Sequence, residues 1–379
     1  MEVNKKLALF GAKKEAQYLC SQIQENILGE VVAFVDNDSE KQGTYINDVP
    51  VVPIKKLQQM YGDNVGAVII SAKGSYSRWQ IWCQLRECGI KNIGLFKYSY
   101  SDYEKKITNL DDCIIWLGDD EKPLMTYLEY NVTDSCNLKC KGCSHFSHLF
   151  DEDSVSDYNQ FSKDLEQISK KVYLAHLRLM GGEPLLHPEL CKFMEVARKI
   201  LPYADINIVT NGLLIPSQDK ELFETMRKHD IGFHITRYIP TDQQMTKISN
   251  VLKQENISYY IENECVQEFN KILDMRGNSD GTVSQEICQN KKCIFLRNGK
   301  LFKCPIEGMI EYFAEKYGYK NIPKARGVDI YDDKLNWEEI VRRYFNDPVE
   351  MCKFCSEKGE TFKWKVQTQP QKEDWVARK

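Results

Sequence analysis

Residues 133–146, TDSCNLKCKGCSHF, place Cys136, Cys140 and Cys143 in a C-x3-C-x2-C array. Three thiolates on one short loop suit neither a disulfide, which takes two, nor a structural zinc site, which takes four. They suit a metal centre with one position left open. With 14 cysteines in 379 residues, composition alone gives about 0.02 such arrays per chain, against roughly half of one C-x2-C pair. The triplet is therefore specific and an isolated pair is not. A [4Fe–4S] cube usually takes a thiolate at each iron. Three cysteines leave the fourth iron to a ligand that is not protein.

A second set lies downstream: Cys288, Cys293, Cys304, Cys352 and Cys355. Cys304 ends a G-x4-C hairpin with Asn298–Gly299 at its turn, and Cys352 and Cys355 form a C-x2-C pair. Five candidates compete for four places. Cys293, Cys304, Cys352 and Cys355 are the preferred set, with Cys288 as competitor for the first. Four thiolates at these spacings also make a zinc site. Cys20, Cys83, Cys88, Cys113, Cys191 and Cys265 are scattered and read as small buried apolar residues.

The elements that must position these residues form an α/β series. Over 1–104, apolar runs at 7–11, 31–36, 65–71 and 92–96 alternate with helical stretches, which predicts a small parallel sheet of Rossmann-like type. Gly11 sits where a dinucleotide fingerprint begins, without its second and third glycines, and Asp36 sits where a ribose-binding acid would. A docking or structural role is the preferred reading of this domain. Residues 105–122 read as a linker. From 123 to 285 five strand–helix units follow, with chemistry-bearing residues after each strand, the pattern of a partial (β/α)6 TIM-type barrel with its site at the C-terminal face. A cysteine-rich extension spans 286–360 and a tail 361–379.

The triplet after the first barrel strand resembles the radical S-adenosylmethionine (radical SAM) family. That resemblance implies a [4Fe–4S] cluster whose open iron chelates S-adenosylmethionine, and electron transfer that splits the sulfonium to a 5′-deoxyadenosyl radical. Gly181, Gly182, Glu183 and Pro184 match the loop that receives the methionine amino group. Thr210 and Asn211, in TNG, match an element near the nucleoside. His234 and Arg237 are expected at the barrel mouth. Arg237 is assigned to the methionine carboxylate, with a surface ion pair as the competing reading. The family carries an aromatic residue beside adenine where this chain has Gly142, so His145 or Phe146 is expected to fill that space. The second set resembles the twitch (SPASM-like) extension that holds an auxiliary [4Fe–4S] cluster.

The segment VDNDSEKQGTYINDVPVVPIKKL resembles the Rossmann-like domain of sugar acetyltransferases and other cell-surface sugar enzymes. By that analogy the expected reaction is hydrogen abstraction from a sugar or nucleotide-sugar small molecule, leading to dehydrogenation or epimerisation. Cys265 is the candidate hydrogen donor for epimerisation. A peptide-modifying enzyme and a non-catalytic iron–sulfur redox protein are the alternatives. The expected electron donor is a flavodoxin or ferredoxin. A net charge of −4 with no strongly basic stretch argues against nucleic acid. No uninterrupted apolar run spans a membrane and no signal peptide is evident, so the expected location is cytoplasmic.

Overall fold

The computed structural model describes residues 6–97, 99–100, 105–118, 122–291, 293–324 and 326–377. The chain divides into two compact units, Met1–Thr126 with Tyr203–Asp205, and Tyr127–Pro202 with Ile206–Lys379.

The first unit is built on seven strands: β1 (Lys6–Phe10), β2 (Glu30–Val35), β3 (Tyr45–Ile46), β4 (Val49–Val52), β5 (Ala67–Ile70), β6 (Ile93–Phe96) and β7 (Ile114–Leu117). Their order is β3-β4-β2-β1-β5-β6-β7, with β4, β2, β1, β5 and β6 running parallel. β5 and β6 are buried along their whole length, as expected of strands covered on both faces. The stretch read as a linker is part of this core. β7 pairs antiparallel with β6, and Ile107, Leu110 and Cys113 are buried beneath it. Its apolar residues, too few to show a period, are spent on a sheet edge.

The Gly11 turn is tight. Gly11 has φ +113°, and a Cβ there would lie 3.2 Å from the Ala72 amide. Asp36 is already engaged: its carboxylate accepts from the amides of Ala12 (2.9 Å) and Asp38 (3.0 Å), and from Lys41 (3.2 Å). Those contacts favour the structural reading of this acid over ribose binding.

Strands β8 (Leu124–Met125) and β10 (Tyr173–Leu174) are two residues each. The second unit carries an eight-stranded sheet from β9 (Leu128–Thr133), β11 (His176–Gly181), β12 (Asp205–Thr210), β13 (Gly232–Ile235), β14 (Tyr259–Ile261), β16 (Phe295–Arg297), β17 (Lys300–Phe302) and β18 (Val328–Asp329). The order is β14-β13-β12-β11-β9-β16-β17-β18. The five expected barrel strands are all present. A sixth parallel strand, β16, joins beside β9 rather than beyond β14. The expected hairpin β16–β17 forms, with Asn298 and Gly299 both left-handed at the turn (φ 49° and 71°). Since this hairpin extends the barrel sheet, the cysteine-rich extension is not a separate compact unit. A two-stranded antiparallel ribbon, β15 (Glu268–Leu273) with β19 (Cys355–Lys363), completes the unit. Among the described residues no helix is long and apolar enough to cross a membrane.

Candidate functional site

β9 is buried at every position and delivers the cysteine loop at its C-terminal end. Lys139, Gly142 and Phe146 are left-handed (φ 47°, 68° and 51°) and curl the loop. Asp134 anchors it, receiving both guanidinium nitrogens of Arg297 at 2.8 and 2.7 Å. Cys136, Cys140 and Cys143 share one apolar group with Leu138, Tyr238 and Trp364. Burial pushes the Cys136 thiol up to about 12 and Cys140 further still, and the neighbouring thiols add to the shift. Such thiols stay protonated until a metal replaces the proton.

GGEP closes on this loop through its backbone. Gly182 and Glu183 donate their amides to the carbonyls of Thr133 and Ser135, both at 2.9 Å. A Cβ on Gly181 would stand 1.9 Å from the Thr133 oxygen, and one on Gly182 1.9 Å from that of Ser135. Only glycine permits this approach. Pro184 opens a 3-10 turn capped by Glu183. Fully buried Glu183 accepts from Thr210 Oγ1 (2.7 Å) and from the amides of Asn211 (2.9 Å) and Leu185 (3.1 Å). Burial pushes its carboxyl up to about 7 against those donors. Asn211 reaches on to Asn137 Oδ1 at 2.8 Å and towards Cys136 Sγ at 3.9 Å. GGEP, TNG and the cysteine loop are thus one hydrogen-bonded assembly.

Other residues fall elsewhere. Arg237 is half-buried and committed to Asp242 Oδ1 (2.6 Å) and the Asn263 carbonyl (2.8 Å), the competing ion-pair reading. His234 faces the barrel interior between Arg178 (3.4 Å) and Glu262 (3.3 Å). Phe146 is fully buried beside Phe313 and Trp375, and His145 turns towards Glu129. Neither takes the space beside Gly142. There Phe362 of β19 stands, 2.8 Å from where a Cβ would be.

In the second set, Cys288, Cys304, Cys352 and Cys355 line a single small cavity, with Lys303 in its wall. Cys293 does not. β16 pairs with β9, so the Glu129 amide donates to the Ile294 carbonyl at 2.8 Å. That register draws Cys293 into the barrel beside Glu129 and Tyr127, where burial and the Glu129 charge push its thiol well up. Cys288, the competitor, lines the cavity where Cys293 was expected. Cys265 lines neither this cavity nor the one between the two cysteine sets. As the side chains stand, no three His, Cys, Asp or Glu groups among the described residues converge on one metal ion. A cluster spreads its ligands over several irons, so two buried thiol sets of three and four fit such groups.

The sequence reading missed the barrel interior. Tyr127 donates to Glu129 Oε1 at 2.5 Å, Arg178 stacks 5.1 Å from the Tyr127 ring, and His145 Nε2 lies 4.0 Å from Glu129 Oε2. Polar and charged residues at alternate positions, Glu129, Asn131 and Thr133 in β9 and His176 and Arg178 in β11, were the available signal. It also missed the segment after β19. The Lys141 amide donates to the Lys365 carbonyl (2.9 Å), the Gln367 amide to that of Lys139 (3.0 Å), and Cys140 bridges Val366. The expected tail is a strap across the cysteine loop.

Residues 130–256 match the Radical SAM superfamily, and residues 3–94 match the family described as C2185-like, N-terminal. The chain carries a radical SAM domain, which implies a [4Fe–4S] cluster and S-adenosylmethionine. Relatives include GTP 3',8-cyclase of Clostridium perfringens, 28% identical over 39% of this chain and 50% of that protein. Another is the tungsten-containing aldehyde ferredoxin oxidoreductase cofactor-modifying protein of Pyrococcus furiosus, 32% identical over 34% of this chain and 35% of that one. The chain spans about half the length, or less, of these relatives. Among solved structures, BtrN in complex with AdoMet and 2-DOIA aligns over 68% of this chain and 100% of its own, with TM-score 0.39 and 15% identity.

Proposed function

We propose that this chain is a radical SAM enzyme acting on a small polyhydroxylated substrate of sugar or nucleotide-sugar type, with net dehydrogenation as the outcome. One observation carries the reading. A cavity is walled by Gly142 and Ser144 of the first cysteine loop on one side, and by Cys288 and Cys355 of the second set on another. A substrate held there touches the surroundings of both thiol sets. Asn270 and Lys271 of β15 also line it, the Lys271 ammonium being held by Glu360 at 2.7 Å, and polar strand groups suit hydroxyls better than an apolar wall.

With its cofactors bound, a radical SAM domain supplies a 5′-deoxyadenosyl radical that removes a hydrogen atom. The chain's own residues then divide the work. GGEP, TNG and the cysteine loop hold the reactive end, and the buried apolar group around Cys140 excludes water from it. The second thiol set is assigned to an auxiliary [4Fe–4S] cluster, the one-electron acceptor that dehydrogenation needs. A flavodoxin or ferredoxin is the proposed donor.

The test is anaerobic reconstitution of the wild type and a Cys136/Cys140/Cys143→Ala variant. About eight irons in the wild type, about four in the variant, and 5′-deoxyadenosine from the wild type alone support the reading. Incubation with sugars, aminosugars and nucleotide sugars in D2O follows. Carbonyl product without solvent deuterium means dehydrogenation, and deuterium at the reacting carbon means epimerisation. Cluster uptake with no cleavage of S-adenosylmethionine would leave a redox protein.

A further inference from the structure

Lys271 is buried where a charge is costly. It stands in β15 between Phe269 and Leu273, the apolar residues at the alternate positions, and its side chain is 6% exposed. Lysine is almost never buried unless it is paired. Its partner is Glu360, directly opposite on β19, with Nζ and Oε1 2.7 Å apart. The Glu360 side chain is 38% exposed, so the pair has one end inside the protein and the other at its surface. The two ends also belong to different spaces. Lys271 lines the cavity of about 110 Å³ between the two thiol sets, and Glu360 does not. Glu360 lines a second cleft of about 560 Å³, together with the exposed Glu357 and Lys358, and Lys271 does not. The pair thus spans the wall between the proposed substrate cavity and a cleft open to solvent. Folding does not require a charge at this place: apolar side chains of similar volume in place of a buried ion pair are often neutral or stabilising.

We propose that the Lys271–Glu360 pair is the proton exit of the dehydrogenation, with Lys271 the catalytic residue that takes the substrate hydroxyl proton and Glu360 the positioning residue that makes it able to. The inference rests on the dehydrogenation reading above. Oxidation of an alcohol carbon to a carbonyl removes a hydrogen atom, an electron and a proton. The 5′-deoxyadenosyl radical takes the hydrogen atom from carbon and leaves a hydroxyl-bearing carbon radical. The auxiliary [4Fe–4S] cluster is the oxidant for the remaining electron. The proton is the part that this chain's side chains must handle. An ammonium has three donors and no acceptor, so Lys271 alone cannot receive it. Glu360 takes a proton from Nζ, which frees a lone pair there for the hydroxyl proton. The O–H bond breaks, the second carbon–oxygen bond forms, and Lys271 ends as the ammonium it began as. Glu360 then releases its proton to water in the outer cleft.

The experiment measures carbonyl product per deuterated 5′-deoxyadenosine in the reconstituted full chain, with ring-deuterated D-glucose, D-glucosamine and UDP-glucose as probes. Deuterium in the nucleoside counts hydrogen abstractions, so the ratio isolates what happens afterwards. Lys271→Met, Lys271→Arg and Glu360→Gln should each lower that ratio about a hundredfold, the worth of a positioned proton-transfer group. The carbon-radical signal in freeze-quench EPR should grow as product falls. Arginine keeps the charge and the donors but does not give up a proton. A ratio restored by Lys271→Arg therefore overturns the inference, because charge alone then suffices. An unchanged ratio in Glu360→Gln overturns it as well. Urea unfolding of the iron-free chain gives a readout without cofactors. Lys271→Met should unfold at or above the wild-type midpoint and Glu360→Gln below it, since only the second leaves a buried charge unpaired. The reverse order would make the pair structural and overturn the inference. If the wild type forms 5′-deoxyadenosine but no carbonyl from any probe, the dehydrogenation reading falls first, and the inference falls with it.

Discussion

The indole N–H of Trp375 donates to the carbonyl of Cys143 at 2.7 Å, joining residues 232 positions apart. Trp375 is fully buried against Phe146, Phe313 and Tyr317. The third cysteine of the loop is thus pinned by a side chain whose own position is set by an aromatic core.

Trp375→Ala should cost about 3–5 kcal/mol, because it removes a large buried ring and leaves a cavity. Trp375→Phe keeps most of the packing and removes one of two donors to the Cys143 carbonyl, which still accepts from the Phe146 amide at 3.0 Å, so it should cost about 1 kcal/mol. Urea unfolding of the iron-free protein measures both. An Ala variant within 1 kcal/mol of wild type, roughly the worth of a hydrogen bond alone, would show that the ring does not carry load.

The two competing cysteines separate by iron count. Cys288→Ser should lose about half of the reconstituted iron, and Cys293→Ser should keep all of it. The opposite pattern would return Cys293 to the second set and show that the β16 register shifts on loading.

Gly182→Ala places a methyl group 1.9 Å from the Ser135 oxygen and 2.4 Å from its carbon. Backbone on both sides must separate, at a cost of about 3 kcal/mol or more. The same separation moves Glu183 away from Asn211. Equilibrium dialysis of the cluster-loaded variant should show at least a tenfold loss of S-adenosylmethionine affinity. Wild-type affinity would mean that the close approach is incidental.

In the first unit, burial raises the Asp36 carboxyl, but the amides of Asp38 and Ala12 together with Lys41 outweigh it, and the net shift is downward. A carboxyl lowered in the folded state stabilises fully above its unfolded value of about 3.9. That contribution disappears as pH falls through the folded pKa. Asp36→Asn should therefore destabilise the chain at pH 7 and remove part of the acid sensitivity expected below about pH 4. Parallel stability–pH curves for the two proteins would refute this.

Much of the site was legible because its parts are local. The cysteine triplet, GGEP and TNG each lie within a few residues and follow a strand whose apolar run announces it. What failed to show depended on partners distant in sequence. Cys293 and Cys288 are equivalent as letters, and only the pairing of β16 with β9 tells them apart. Gly142 advertised a missing ring, but its replacement, Phe362, arrives on a ribbon with no sequence tie to the loop. The Arg237 ion pair was foreseen as an option, and nothing local ranked it above ligand binding. β7 was hidden because four residues at a sheet edge are too short a run to display periodicity.

The strap has a consequence for how the protein is made. At roughly 5–20 residues per second, the 232 positions between Cys143 and Trp375 take about 10 to 50 seconds to synthesise. Throughout that interval the three thiols have emerged while their cover has not, so they face dissolved oxygen and competing soft metal ions. The first cysteine set is therefore open to loading, correct or incorrect, until residues 364–375 fold over it.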